Sequence, residues 1–151
     1  MRKACVIYVT ATADQFGPTK SLLEKEGYEV CGHQTNARDA KAAKKGGTDL
    51  PKDLVNCIVS ADLCVFLLPD TIDSDGFLAG AADLAVKKEK RTVGIVSGDR
   101  SAYPDPLEDF ANSMVRTGSV RLPDAVRGKE IWESPDGSLV KERKIKNIRC
   151  Q

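Results

Sequence analysis

Asp62-Leu-Cys-Val-Phe-Leu-Leu68 sets six apolar residues in a row behind a single aspartate. A run of this length and kind reads as a strand buried on both faces, and such strands belong to parallel sheets covered by helices on each side. The neighbouring segments support that reading. Upstream, Pro51 to Ser60 carries Leu54, Val55 and Ile58 at helical spacing; downstream, Phe77 to Lys90 reads as a helix and Thr92-Val-Gly-Ile-Val96 as the next strand.

The same alternation extends to both sides. Ala4 to Ala11 is a first buried strand, Asp14 to Gly27 a helix with Leu22 and Leu23 on its apolar side, and Tyr28 to Gly32 a short second strand. Ala37 to Lys45 reads as an exposed helix or helical loop broken by Gly46-Gly47. Pro106 to Val115 makes a further helix on the spacing of Leu107, Phe110 and Met114, and Ser119 to Leu122 is the candidate fifth strand. Pro135 to Ser138 is a turn between two extended pieces. The lysines and arginines of residues 139–151 suit a solvated edge strand or a contact with an anionic partner. The expected fold is thus α/β: a doubly wound, mainly parallel five-stranded sheet, flavodoxin-like with order 2-1-3-4-5, and a short C-terminal hairpin. Residues 1–126 form the α/β domain, and 127–151 an extension that Trp132 packs onto the body or a partner.

Composition bounds the function. The chain has 151 residues, 41% of them hydrophobic and 30% charged, which suits one domain with a sizeable core. With 23 basic and 22 acidic residues it lacks the positive excess that draws proteins onto nucleic acid. Its N-terminal apolar run is too short to span a membrane, so a cytoplasmic protein is expected. The five cysteines, Cys5, Cys31, Cys57, Cys64 and Cys150, include no C-x-x-C pair and read as reduced, structural thiols.

In a sheet of this order, a ligand crevice opens beyond the carboxyl ends of strands one and three, where the strand order reverses. The loops there are Thr10 to Gly17 and Pro69 to Gly76. The second is acidic, and Asp73 or Asp75 could cap the following helix or face a ligand. His33, the only histidine, reads as a surface imidazole. Ser97 to Arg100 suits either a plain turn or a phosphate contact.

Several spaced features give the chain from Cys5 to about Leu122 a family likeness. Val6-Ile-Tyr-Val9, Lys52-Asp-Leu-Val-Asn-Cys-Ile-Val-Ser-Ala-Asp62, Ser74-Asp-Gly76 and Ala111-Asn-Ser-Met-Val115 resemble motifs of the nucleoside 2-deoxyribosyltransferases and their relatives, which transfer or hydrolyse the N-glycosidic bond. The resemblance implies a nucleoside or nucleotide pocket lined by Tyr8, Thr10, Asp53, Asp75 and Gly76, with Asn112 supplied by a neighbour in a homo-oligomer, and no metal or cofactor. It departs at one point: the family's nucleophilic glutamate position is Gly80. A carboxylate is needed there to stabilise and capture an oxocarbenium-like sugar, and Asp83, about one helical turn further on, is the remaining candidate.

The same layered pattern is similar to receiver and TIR-like signalling modules. Strand one ends Tyr8-Val-Thr10 and strand three ends Phe66-Leu-Leu68, without the acids that receiver phosphorylation needs, and Gly80 again stands where TIR-like enzymes carry a glutamate. The alternative function is therefore a non-catalytic protein-interaction module of that kind.

Overall fold

The computed structural model describes residues 2–35, 50–71, 75–98, 100 and 102–140. Its five strands are β1 (Arg2–Val9), β2 (Tyr28–Thr35), β3 (Leu63–Leu68), β4 (Arg91–Val96) and β5 (Ser113–Arg116), all parallel, in the order β2-β1-β3-β4-β5. A 3-10 segment (Thr10–Gln15) leads into α1 (Phe16–Lys25); α2 (Lys52–Ser60), α3 (Asp75–Lys87), α4 (Asp105–Phe110) and α5 (Leu122–Arg127) follow. Gly27, at φ 92°, ends the α1 turn in a backbone conformation that glycine adopts without steric cost. Among the described residues no helix is long and apolar enough to cross a membrane.

The unbroken apolar runs resolve into two faces once strand parity is applied. Cys5, Ile7 and Val9 of β1 share one core with Cys64, Phe66 and Leu68 of β3 and with Leu54, Cys57 and Ile58 of α2 and Phe77 and Leu78 of α3. Ala4 and Val6 look the other way, with Leu63, Val65 and Leu67, toward Leu23 of α1 and Ala125 and Val126 of α5. Arg127 of α5 clamps Glu26 at the end of α1 with two bonds of 2.7 and 2.9 Å, aligning the helices on that face. The small residues Gly80, Ala81, Ala82 and Ala85 of α3 are buried within the single chain.

The structure corrects two elements. The helix expected over Pro106 to Val115 stops at Phe110; Ala111 turns extended at ψ 138°, and β5 begins at Ser113. Asn112 forces the change, because its side-chain oxygen accepts the Thr92 N–H at 2.9 Å while its own N–H donates to the Thr92 carbonyl at 2.8 Å. Met114, which had completed a helical stripe, instead lies across Gly94 of β4, where a Cβ would overlap its thioether. The strand expected over Ser119 to Leu122 is a turn leading into α5, with Leu122 and Pro123 in the first turn of that helix.

The thiols also differ from expectation. Cys5 and Cys57 form a disulfide, with 5.6 Å between their Cα atoms, that ties β1 to α2. Parity puts Cys5 on the α2 side of the sheet, and the apolar stripe of α2 presents Cys57 directly to it. Cys31 and Cys64 are free. The expected helix at Ala37 to Lys45, the basic tail from 141 to 151 and Cys150 lie outside the described residues.

Residues 131–140 close the β5 edge. The Met114 N–H donates to the Ile131 carbonyl and the Glu133 N–H to the Met114 carbonyl, both at 2.8 Å, and Glu133 pairs with Leu139 across the Pro135–Ser138 turn. The next outward amide, Arg116 N–H, is met by the Glu133 carboxylate at 2.7 Å. Trp132 packs edge-on against Tyr103, their ring centroids 6.1 Å apart.

Candidate functional site

The strand order reverses between β1 and β3, so the crevice lies at their carboxyl ends. Thr12 ties the two strands together at this end. The buried hydroxyl of Thr12 accepts the Val9 N–H at 3.2 Å, and its proton is shared between the carbonyls of Val9 at 3.2 Å and Leu67 at 3.3 Å. One side chain thereby bridges the two diverging strands, and Thr10 stands exposed just above it.

Topology brings three more of the expected residues to the same end. Helices that follow parallel strands run back down the sheet, so the first turns of α2 and α3 sit beside the carboxyl ends. Asp53 is exposed in the first turn of α2, and Asp75 and Gly76 open α3. The Asp73–Ser74 part of the acidic loop lies outside the described residues.

Two expected residues are placed elsewhere. Tyr8 is near the crevice along β1, but its ring points to the opposite face of the sheet from α2 and α3, stacked 4.7 Å from Phe16. Asn112 is at the amino end of β5, where it is bonded to Thr92, so within its own chain it is at the far edge of the sheet.

The candidate nucleophile is also displaced. Asp83 is eight residues beyond Asp75, about 12 Å down the helix axis at 1.5 Å per residue. Its carboxylate pairs with Lys87 at 2.8 Å on the partly exposed side of α3. Gly80, in between, is buried and carries no side chain that could react.

Three further residues at this end have roles that the sequence reading did not give them. His33 is half-buried rather than a surface group, and it stacks on Phe77 of α3 with 6.4 Å between centroids and 19° between planes. Its register with Ile7 of β1 sets it on the α3 face, a parity signal readable once β2 is extended to Thr35. Arg100 donates to the carbonyls of Pro69 at 3.0 Å, Thr71 at 3.1 Å and Ala102 at 2.9 Å, which makes it a brace for the loop after β3. Gln15 donates to the Ser97 hydroxyl at 2.7 Å, latching the turn after β1 to the end of β4.

Beside this end, Arg116 is buried with no carboxylate on its guanidinium among the described contacts. It donates to the carbonyls of Ser134 at 3.1 Å, Gly98 at 3.4 Å and Arg100 at 2.7 Å, and to the Tyr103 hydroxyl at 3.0 Å. Burial pushes the Tyr103 hydroxyl above its ordinary range, against the opposing pull of the Arg116 cation. The phenol therefore stays neutral and accepts.

This end of the sheet offers hydroxyl, carboxylate and main-chain groups, and position 80 of α3 carries no side chain. Comparison with models of known protein families gives no match, and comparison with curated proteins gives none.

Proposed function

We propose that the crevice binds a nucleoside or nucleotide, as in the nucleoside 2-deoxyribosyltransferases that the sequence resembles, without the covalent step of that family. The observation that supports this reading is the switch point itself: the strand order reverses between β1 and β3, and Thr10, Asp53 and the opening of α3 lie at that end of the sheet. The Asp53 carboxylate suits sugar hydroxyls or base N–H donors, and the Thr10 hydroxyl can both donate and accept. Gly80 removes the group that would attack the anomeric carbon, and Asp83 is paired and too far down α3 to replace it.

Calorimetry and thermal-shift assays with nucleosides, nucleoside monophosphates and NAD test the proposal. A ligand at 100 times its Kd adds about 2.7 kcal/mol of stability, a rise of about 5–10 °C for a chain of this size. Thr10→Ala and Asp53→Asn should each reduce the shift, and no free base should accumulate. Absence of any shift at millimolar ligand sinks the binding reading and leaves the protein-interaction reading in its place. Base release that Asp83→Ala abolishes would show that the nucleophile has moved rather than gone.

A further inference from the structure

The parallel register sets Cys5 of β1 opposite Cys31 of β2 on one side and Cys64 of β3 on the other. Residues in register on adjacent parallel strands point to the same face, about 4.8 Å apart. Three cysteines therefore form a row across the sheet, beneath α2. Cys57 descends from α2 onto this row, bonded to Cys5, with its Sγ 3.5 Å from the carbonyl oxygen of Cys31.

Exposure is graded along the row. Cys64 and Cys5 are fully buried, Cys57 is 4% exposed and Cys31 is exposed. A cleft of about 130 Å³ opens here, lined by Lys3, Glu29, Val30 and Ser60 among others, and of the four cysteines only Cys31 and Cys57 reach it. Among the described residues no group of three or more His, Cys, Asp and Glu side chains is arranged to hold a metal ion.

We propose that Cys5, Cys31 and Cys57 form a thiol–disulfide exchange site, open through this cleft to small-molecule thiols, in which Cys57 bonds either Cys5 or Cys31. The Cys31 thiol loses its proton to water and its thiolate attacks Cys57 Sγ. A Cys31–Cys57 bond forms as the Cys57–Cys5 bond breaks, and the Cys5 sulfur leaves with the electron pair and takes up a proton. No oxidant or reductant is consumed. A small thiol entering the cleft reaches the same product in two steps: it displaces Cys5 to give a mixed disulfide at Cys57, and Cys31 then displaces the small thiol.

The surroundings set which sulfurs take part. Burial pushes the Cys64 thiol up to about 12, so the buried thiol next to Cys5 stays protonated and does not attack. Cys57, when unbonded, has the Cys31 carbonyl as a hydrogen-bond acceptor. Exchange moves the tether of α2 from the interior strand β1 to the edge strand β2.

Purified full-length protein, equilibrated with 2-mercaptoethanol and its disulfide over a range of ratios, tests this. After acid quenching, alkylation and proteolysis of the monomer, mass spectrometry identifies the linked peptides. The wild type should yield both Cys5–Cys57 and Cys31–Cys57 pairs at intermediate ratios. Cys31→Ser should lose the second pair and accumulate mercaptoethanol on Cys57, and Cys5→Ala should form Cys31–Cys57 in full. If the wild type shows only Cys5–Cys57 at every ratio, the proposal is overturned, whether or not Cys5→Ala folds.

Discussion

Replacing Phe77 with alanine should destabilise the protein by about 3–5 kcal/mol, the usual range for removing a fully buried aromatic ring. Phe77 is 0% exposed in the first complete turn of α3, packed in the core shared with Ile7, Val9 and Phe66 and stacked on His33. Truncation leaves a cavity where α3 meets the carboxyl end of the sheet, so the loss should appear as a lower urea midpoint with the slope unchanged. Phe77→Leu keeps most of the volume and should cost less than about 1.5 kcal/mol. A small loss for Phe77→Ala would mean that α3 is not held at the crevice by this contact.

The second large effect is expected at Glu133, whose carboxylate is buried at the closed edge of the sheet. It accepts the Arg116 N–H at 2.7 Å, the Ser119 hydroxyl at 2.7 Å and Arg121 Nη1 at 2.6 Å. Glu133→Ala leaves the buried Arg116 N–H and the Ser119 hydroxyl without this acceptor while the part-exposed Arg121 can turn to water, a loss of about 1–3 kcal/mol. The acid limb gives a sharper test. Burial alone raises the pKa of this carboxyl, but the bonds from Arg116, Ser119 and Arg121 outweigh it and hold the pKa below the ordinary value. The unfolded chain therefore takes up the proton first as pH falls. The contribution of Glu133 is complete above the ordinary glutamate range of about 4.3 and disappears as pH drops through the lower folded value. The stability gap between wild type and Glu133→Gln should be widest near neutrality and close in acid; a constant gap would refute the charged role.

How much of this was legible follows from where each element takes its instructions. β1, β3 and β4 are buried on both faces, so their apolar runs are continuous and identify them locally. The Pro106–Arg116 region is different, because Leu107, Phe110 and Met114 fit a helical stripe and the actual break depends on Asn112 bonding Thr92, twenty residues away. A local period cannot report such a bond. The Cys5–Cys57 link is similar: a separation of 52 residues follows no spacing rule, and only the meeting of β1 parity with the α2 stripe reveals it.

For the candidate site, topology was the readable part. Order 2-1-3-4-5 was enough to gather Thr10, Asp53 and Gly76 at one end of the sheet. The direction of Tyr8 was also available by counting, since Ile7 faces α3 and its neighbour must face α1. The Thr12 bridge and the Arg100 brace were not available, because their partners are main-chain carbonyls that any residue supplies.

The hairpin that follows Ile131 bears on how this sheet can grow by strand addition. With the outward amides of Met114 and Arg116 already bonded to Ile131 and Glu133, the β5 side offers little to an incoming strand. Among the described residues no strand or hairpin is paired to the outer margin of β2. Two chains joined there about a two-fold axis would form a continuous ten-stranded sheet, five from each copy, with a hairpin-covered margin at each end. An open-ended fibre built by strand addition at both margins would first have to peel the hairpin from β5.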